Sequence, residues 1–321
     1  LYTGLAASPD GQYLLSQRIE RPFSYQVPYW SFPRRIEVRD SASGALVHEV
    51  AALPLIEGLP SGRDAVATGV RRIEWRADAP ATLVWAEAQD GGDPAVEAEV
   101  RDSVFTHAAP FADAPVKLMD LGYRYRGATW GSGDLALVDE FWWRDRQTRQ
   151  WRIAPDHPER APELLFDRSS EDRYGDPGRP VLVSDEAGNG RLLTGPDGNS
   201  LFLIGNGASP EGDRPFVDRF DLATKESTRL FHSQAPYLER PATLLDAAGT
   251  RLLLTRESPV EPTNIYVLDL AADAAEPVAL TDFPHPTPQL RDVSKEQIRY
   301  TRADDEEHTA TLYLPAGDDA E

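Results

Sequence analysis

Residues 8–19 read Ser-Pro-Asp-Gly-Gln-Tyr-Leu-Leu-Ser-Gln-Arg-Ile, and this stretch already indicates the kind of fold. Ser8–Gly11 has the composition of a tight turn, and the β-rich run Tyr13–Ile19 follows it directly. A second pair of β-rich runs, Ile36–Asp40 and Ala45–Val50, flanks another turn. Two hairpins in series predict one four-stranded antiparallel unit at the start of the chain.

The same unit recurs four more times along the sequence. Each recurrence opens with a β-rich run, a turn and a second run, as in Ile73–Arg76 and Thr82–Ala86. Several units close on a strand that ends in aspartate and on a further hairpin, as in Phe216–Asp221 and Ser227–Phe231. No long amphipathic helix is evident between these units. The units begin near residues 4, 70, 127, 180 and 241, at spacings of 53 to 66 residues.

This repeat predicts an all-β chain that forms a β-propeller of four-stranded antiparallel blades, about five of them visible. One such blade cannot bury both of its faces without neighbours, which is why the unit repeats. A β-sandwich is the alternative, but five similar hairpin pairs in series do not suit a Greek key. The predicted blades are about 1–55, 66–121, 122–167, 176–232 and 238–283, and 284–321 is predicted to be a linker and a first hairpin.

Composition narrows the possible functions. The 321 residues carry 33 Lys+Arg against 53 Asp+Glu, and the formal net charge of −20 disfavours nucleic acid as a partner. No apolar run approaches the roughly 18 residues that a membrane span needs. The absence of cysteine excludes disulfides, thiolate zinc sites and a cysteine nucleophile. Of the cations, 30 are Arg and 3 are Lys, a bias that we attribute mainly to codon usage.

Motifs for catalysis and metal binding are missing from the sequence. Gly207–Gly212 comes nearest to a Gly-x-Ser-x-Gly nucleophile elbow, but it is one residue too long and belongs to a predicted strand–strand loop. The six histidines form no ligand pair at metal-binding spacing. Asp90–Asp93 suggests calcium only weakly and is better interpreted as a turn. We therefore expect no catalytic residue, no metal and no cofactor in this chain.

The predicted loops fall into two groups. In a four-stranded blade with strands A to D, the A–B and C–D turns lie on one face and the B–C and D–A connections on the other. Here the first group is short, whereas the second is long and rich in aromatic residues and arginine. Such loops predict a docking or ligand-binding face, although they could also merely cap the blades. The long connections are 20–30, 140–146, 168–178, 205–215 and 257–262.

Several segments carry a resemblance to a known family: Arg21–Tyr25, Trp75–Leu83, Glu87–Asp93, Arg168–Gly178, Gly205–Asp221 and Arg256–Ser258. Together they resemble the propeller of glutamyl endopeptidases, a branch of the prolyl oligopeptidase family of serine peptidases. The resemblance covers essentially the whole chain. Lys295–Tyr300 with Thr309–Gly317 resembles the hairpin that leads into the family's hydrolase domain, although 303–308 departs from the Asp-Gly turn that is usual there.

The resemblance implies a parent enzyme with a seven-bladed propeller, of which two blades would precede Leu1. A C-terminal α/β-hydrolase domain with a Ser-Asp-His triad would follow Glu321 and cleave peptides after glutamate. The propeller would gate that domain, with its long loops toward the catalytic cavity. The expected partners are peptide substrates and the chain's own C-terminal α/β-hydrolase domain. A periplasmic or secreted location in a bacterium is favoured, with the cytoplasm as the alternative.

Cleavage after glutamate requires a cation that pairs with the substrate carboxylate, and arginine does this through two hydrogen bonds. The arginines on the predicted face are therefore candidate substrate-binding residues: Arg21, Arg144, Arg168, Arg173, Arg214 and Arg256. Each could equally be held in an ion pair by a neighbouring carboxylate. These carboxylates are Glu20, Asp145, Glu171, Asp213 and Glu257. The carboxylate-binding group could also lie on the hydrolase domain.

Two other functions remain open at this point. A stand-alone binding propeller of the TolB-like kind would act as a scaffold without chemistry, but it would not need the hairpin-like segment at 295–317. A glycan-binding or sugar-cleaving propeller would need paired carboxylates near the axis, and none can be placed from the sequence.

Overall fold

The structure, a computed structural model, describes residues 1–185, 187–272, 274–290 and 292–315. Regular structure in this part of the chain is almost entirely β, and the strands form five four-stranded antiparallel sheets. Within each sheet the neighbouring strands also follow one another in sequence order, apart from one inserted hairpin. The predicted all-β fold with four-stranded antiparallel blades is confirmed.

The first three sheets contain twelve strands. They are β1 (Tyr2–Ala7), β2 (Tyr13–Ile19), β3 (Arg34–Asp40) and β4 (Leu46–Leu53); β5 (Arg71–Trp75), β6 (Thr82–Ala88), β7 (Asp102–Ala108) and β8 (Val116–Leu121); and β9 (Arg124–Ser132), β10 (Leu135–Trp142), β11 (Gln147–Ile153) and β12 (Glu163–Ser169). A 3-10 helix occupies Tyr29–Ser31 in the β2–β3 loop.

The fourth and fifth sheets and two hairpins follow. The strands are β13 (Arg179–Pro180), β14 (Leu182–Ser184), β15 (Gly190–Leu192), β16 (Ser200–Gly205), β17 (Phe216–Asp221), β18 (Ser227–His232), β19 (Leu238–Leu244), β20 (Arg251–Glu257), β21 (Asn264–Asp269), β22 (Val278–Ala279), β23 (Ser294–Thr301) and β24 (Glu307–Leu314). The fourth sheet has the order β13-β16-β17-β18 and the fifth β19-β20-β21-β22. Strands β14–β15 and β23–β24 form separate hairpins, and a 3-10 helix spans Pro288–Leu290.

The chain divides into two compact units. Unit 1 comprises residues 1–175 and 182–193, with the first three sheets and the β14–β15 hairpin. Unit 2 comprises residues 176–181 and 194–321, with the fourth and fifth sheets and the β23–β24 hairpin. The end of the segment predicted to form the linker and hairpin, 316–321, lies outside the described residues.

Strand β6 shows how the sheets of unit 1 build a shared core. Leu83 and Trp85 belong to a buried cluster that includes Leu15 of the first sheet. Val84, the residue between them in sequence, belongs to a second cluster that includes Val138 of the third sheet. Successive side chains of a strand point to opposite faces, so the middle sheet is buried on both sides. This is the burial that stacked blades require.

One predicted strand is wrong. Pro180–Ser184 was expected to run as a single strand, but the structure divides it after Val181, whose N–H donates to the Phe202 carbonyl at 2.8 Å. Leu182–Ser184 pairs instead with Gly190–Leu192. Arg191 of that hairpin donates through Nε to the Gly131 carbonyl at 3.1 Å, a tertiary contact that local sequence does not reveal.

Candidate functional site

Four of the six candidate arginines lie in unit 1, on or beside the long connections. The Arg21 guanidinium lies 5.6 Å from the centre of the Phe23 ring, within its own loop. Arg168 falls at the end of β12 and donates to the Ser169 carbonyl at 3.1 Å, so it stabilises the connection that follows. Arg173 lies further along that same connection. Arg168 and Arg173 thus belong to one connection and Arg21 to another, and none of the three lines the clefts described below.

Arg144 sits on the β10–β11 turn, which a buried carboxylate pins in place. Asp64 accepts the backbone N–H of Trp143 at 2.9 Å and that of Arg144 at 3.3 Å. The Arg144 side chain is 76% exposed and makes one ion pair, 3.4 Å long, with Asp145. The turn is therefore rigid, whereas its guanidinium reaches into solvent and is free to exchange its surface partner for another carboxylate.

Glu20, expected as a partner of Arg21, pairs with other arginines. Arg18 and Arg35 approach it at 3.0 Å each, because they lie directly opposite one another on β2 and β3. The Arg35 hydrogen bond is the main reason why the pKa of the Glu20 carboxyl lies below its ordinary value. Register across the sheet, which the sequence does not reveal, decided this pairing.

Two more expected carboxylate partners are also engaged elsewhere. Glu171 pairs with Arg146 at 2.9 Å, since the Ser170 N–H bonds to the Arg146 carbonyl and brings the two loops together. Glu257 accepts the hydroxyl of Thr263 across the β20–β21 loop. Neither carboxylate therefore neutralises a candidate arginine in the way the sequence suggested.

Unit 2 holds the other two candidates, and here the structure brings them to one place. A cleft of about 410 Å³ opens between the β16–β17 and β20–β21 loops. Its charged lining consists of Asp213, Arg214, Glu257 and Lys295. Tyr237 forms part of its wall. We refer to this hollow as the Arg214 cleft. Both loops belong to the B–C group that was predicted to carry ligand-binding residues.

Arg256 supports the wall of the Arg214 cleft rather than its opening. Its guanidinium lies 3.4 Å from the centre of the Tyr237 ring, and its side chain is only 16% exposed. Glu239 lies opposite Arg256 in the β19–β20 register, with 4.0 Å between Nε and the carboxylate. Burial raises the pKa of Glu239, and the charge of Arg256 opposes that rise. Arg256 therefore holds Tyr237 in position.

The loop that presents Arg214 is closed by its own backbone. The Arg214 N–H donates to the Gly207 carbonyl at 2.7 Å. Gly207 has a φ of +62°, and a β-carbon there would overlap the Arg214 carbonyl oxygen. Ser209 and Gly212 exchange two further backbone hydrogen bonds of 3.1 and 3.0 Å. As predicted, this segment is a turn and not a nucleophile elbow.

The Arg214 guanidinium lies near two hollows. Beside the Arg214 cleft is a second hollow of about 600 Å³, also lined by Arg214 and by residues 232–235. Glu211 pairs with Arg214 at 3.8 Å; the Glu211 side chain is 80% exposed and that of Arg214 is 22% exposed, so the pair is open to solvent on the Glu211 side. Exposed ion pairs of this kind contribute little to stability. Arg214 can therefore exchange Glu211 for an incoming carboxylate at small cost.

The charged and aromatic lining of the Arg214 cleft is suited to binding and orienting a charged ligand. Ser258 lines it, but its hydroxyl oxygen accepts the N–H groups of Val260 and Glu261 at 3.3 and 3.1 Å and so shapes a turn. Across the described residues, no group of three His, Asp or Glu side chains is placed to hold a metal ion. No helix among them is both long and apolar enough to span a membrane.

Sequence reasoning missed two of the residues that build the site. Lys295 and Tyr237 lie outside the long connections that the sequence singles out, and the fold brings them to the cleft. Ser233, which is fully buried, fixes the Tyr237 segment by accepting the Glu239 N–H at 2.9 Å. A Ser-x-x-x-Tyr spacing alone carries no such signal.

Comparison with known proteins identifies the class. The chain is 41% identical over 333 residues to "Probable glutamyl endopeptidase, chloroplastic" from Oryza sativa subsp. japonica, a match that covers 99% of this chain and 35% of that protein. It is also 41% identical over 334 residues to the protein of the same name from Arabidopsis thaliana, covering 99% of this chain and 34% of that protein. The chain thus spans about a third of the length of the curated relatives it matches. No family model matches it.

A solved structure of a dipeptidyl aminopeptidase IV-like protein from Bacteroides ovatus is similar in fold, with a TM-score of 0.57 at 12% identity over 98% of this chain and 45% of that one. Fold and relatives together define a propeller portion of the peptidase class. More specifically, both curated relatives are named glutamyl endopeptidase, and this chain corresponds to about a third of each. Both plant relatives are named chloroplastic, so the periplasmic or secreted location favoured from the sequence finds no support in them.

Proposed function

We propose that this chain is the substrate-admitting propeller of a serine peptidase that cleaves peptides after glutamate. The observation that carries the proposal is the 41% identity to glutamyl endopeptidases along 99% of the chain, long loops included. The relatives are about three times as long as the match, so a catalytic α/β-hydrolase domain with a Ser-Asp-His triad has ample room in such a protein. The propeller would have seven blades, five of them in this chain.

In this proposal the β23–β24 hairpin leads the chain toward the hydrolase domain. The hairpin is regular, with eight residue pairs from Ser294–Leu314 to Thr301–Glu307. Lys295 links it to the Arg214 cleft. The proposal keeps the division made from the sequence, with the blades at 1–283 and the linker and first hairpin at 284–321.

Arg214 is the strongest candidate for contact with the substrate glutamate. It combines a backbone-fixed position, an exchangeable surface partner and a place in the wall of a cleft. Arg144 shares a fixed backbone and an exposed guanidinium, whereas Arg256 would act by holding Tyr237. Arg21, Arg168 and Arg173 would act at other points of the loops.

The test measures kcat/KM of the full-length protein on matched peptides with Glu, Gln or Leu before the scissile bond. Arg214→Ala should lower kcat/KM for the Glu peptide by about 10- to 100-fold, the loss of a charge-assisted hydrogen bond, and leave the Leu peptide unchanged. Arg214→Lys should restore part of the preference. Arg160→Ala is the matched control, because Arg160, in the β11–β12 loop, is 56% exposed and forms an exposed ion pair with Asp134.

An unchanged preference for Glu in Arg214→Ala and in the corresponding variants of the five other candidates would place glutamate recognition outside these arginines. Absence of any serine-dependent hydrolysis by the full-length protein would refute the peptidase proposal itself. A binding propeller without chemistry would then be the remaining function.

A further inference from the structure

Unit 1 contains a second cleft, larger than the Arg214 cleft and different in chemistry. It has a volume of about 670 Å³, within the range of roughly 300–1,000 Å³ that is typical of ligand pockets. It opens where β2 and β4 end and where β3 and β5 begin, so it belongs to the B–C and D–A loops. We call it the Arg72 cleft. None of the candidate residues from the sequence lines it.

The lining combines an apolar floor with three arginines and no carboxylate. Ile36, Leu53, Ile56, Val66, Val70 and Ile73 supply most of the apolar surface. Arg34, Arg71 and Arg72 supply the charge. Trp30, 59% exposed, stands at the opening. The chain has a formal net charge of −20, whereas all the charged residues that line this cleft are cations. The local charge of the lining therefore has the opposite sign to that of the chain.

The arginines of this cleft have unused hydrogen-bonding capacity. Nε of Arg34 and Nε of Arg71 are buried and have no acceptor among the described residues. Arg34 donates through Nη2 to the Trp30 carbonyl at 2.7 Å, and Arg72 through Nη1 to the Arg126 carbonyl at 3.0 Å. Carbonyl partners leave the positive charge uncompensated, and buried unsatisfied donors are rare in folded proteins. A bound anion would compensate the charge of Arg34 and Arg72, whose guanidinium groups donate to carbonyl oxygens.

Arg71 and Arg72 differ in how far their charge is already balanced. Arg71 lies 2.6 Å from the buried carboxylate of Asp102. Within the described residues, no carboxylate lies at ion-pair distance from Arg72, although Glu74 senses its charge at longer range. Arg72 also has a φ of +51°, a backbone conformation that costs a non-glycine residue energy and is enriched at functional sites. Arg72 is therefore the residue through which the cleft would be tested.

The rim of the cleft is built into the fold. The Ile56 N–H donates to the Ser31 carbonyl at 2.9 Å, which joins the β2–β3 loop to the β4–β5 connection. The Val66 N–H donates to the Gly92 carbonyl at 3.0 Å, which fixes the opposite wall. A cleft held by backbone hydrogen bonds from three loops keeps its shape before a ligand arrives, so binding costs less ordering entropy.

We propose that the Arg72 cleft binds an extended peptide segment in which a Glu or Asp side chain is followed by a bulky apolar residue. The carboxylate would accept hydrogen bonds from Arg72 and Arg34, and the apolar side chain would occupy the floor beside Ile36 and Val70. The charge complementarity and the apolar lining carry this assignment. This inference rests on the proposed function because it takes a peptide as the ligand. It adds a site that recognises a second acidic residue of that peptide.

The experiment measures binding rather than turnover. A fluorescein-labelled peptide carries one Glu before an N-methylated bond, which blocks hydrolysis, and a second Glu in a separate Leu-Glu-Leu segment; it is titrated with the full-length protein and followed by anisotropy. Arg72→Gln should weaken binding at least 10-fold, and replacing the second Glu of the peptide by Gln should weaken it equally. The two changes combined should cost little more than either alone, because they remove the same interaction. Arg160→Gln, in the turn region after β11, is the matched control.

Arg34→Gln should also weaken binding of the peptide. Because Arg34 also supports the Trp30 loop, the melting temperature of this variant is compared with that of the parent protein. Trp30→Phe should remove any change in tryptophan emission on binding while leaving most of the affinity. Wild-type affinity in Arg72→Gln, or equal binding of the Glu and Gln peptides by the parent protein, overturns the proposal. Cleavage after glutamate is measured separately, so that a failure of this proposal can be distinguished from a failure of the proposed function.

Discussion

Arg124, buried at the start of β9, offers the sharpest test of how unit 1 is held together. Its side chain is 3% exposed. The guanidinium donates to both oxygens of Asp90 at 2.9 and 2.8 Å and to the Asp102 carboxylate at 3.0 Å. It also donates to the carbonyls of Asp64 at 2.8 Å and Arg101 at 3.0 Å. One arginine therefore ties together three connections of the first three sheets.

We expect Arg124→Met to lower the free energy of unfolding by about 3 kcal/mol at pH 7. The substitution keeps an unbranched apolar side chain but leaves the carboxylates of Asp90 and Asp102, both fully buried, with fewer partners. Removing one partner of a buried ion pair costs about 3–5 kcal/mol. The lower end applies here because Arg101 still pairs with Asp90 at 2.8 Å and Arg71 with Asp102 at 2.6 Å.

The loss should depend on pH in a defined direction. Burial opposes ionisation of Asp90, yet hydrogen bonds from Arg124 and Arg101 hold the pKa of its carboxyl below the ordinary value of 3.8. A lowered pKa in the folded state adds stability above the unfolded-state value, and this stability is lost as the pH falls through the folded-state value. Without Arg124 that pKa rises. The difference between variant and parent should therefore be complete near neutral pH and should shrink as the pH falls through the Asp90 pKa of the variant toward that of the parent, which lies below 3.8.

Urea unfolding followed by tryptophan fluorescence provides the measurement. Trp142 reports locally, because the Arg101 guanidinium lies 4.3 Å and that of Arg124 5.8 Å from its ring. Arg160→Met, which breaks an exposed pair with Asp134, should change stability little. A loss below about 1 kcal/mol in Arg124→Met, or a loss that does not shrink as the pH falls below 3.8, would refute the reasoning. Adding Asp90→Asn should recover part of the loss.

Two further predictions concern packing in unit 1. His48 lies 5.0 Å from His107 between ring centres, and burial, followed by the charge of His107, lowers the pKa of His48 below 6.5. The fold thus favours neutral His48 and loses stability as the pH falls below 6.5, so His48→Gln should flatten the drop in melting temperature between pH 7 and 5.5; an unchanged slope contradicts this. Gly92→Ala should strongly lower the free energy of unfolding, because the new β-carbon would overlap the Val66 carbonyl. Gly91 has a similar φ of +69° but open space around it, so Gly91→Ala should lower the free energy of unfolding in urea by only about 1 kcal/mol.

The sheets were predictable because their signals are local. Tyr13–Ile19 and Phe216–Asp221 are strands at the predicted residues, since each is bounded by turn residues that stop a strand whatever surrounds it. The break at Val181 was not predictable, because it depends on a hairpin whose Arg191 bonds to the remote Gly131 carbonyl. Local propensity cannot anticipate a competition that tertiary contacts decide.

The candidate site shows the same division between loops and partners. Arg214 could be placed on a ligand-facing loop from blade geometry alone, and the structure puts it in a cleft. The partner of Arg256 could not be predicted, because Glu239 lies opposite Arg256 only through the register of β19 against β20. Arg72 was not predicted because it precedes the predicted strand Ile73–Arg76 and belongs to none of the long connections, whereas the structure places it in β5. Its left-handed backbone is a property of the folded chain.

The charge of the chain and the arginines of its clefts act over different distances. A formal charge of −20 repels an acidic peptide at long range, but the Debye length of about 8 Å at physiological salt screens that field beyond the surface. Hydrogen bonds of about 3 Å from Arg72 or Arg214 to a carboxylate are screened much less. Recognition of acidic peptides would therefore depend on contact geometry and not on attraction at a distance. Added salt should speed association of an acidic peptide while changing its dissociation little, the reverse of what a cationic binding surface would show.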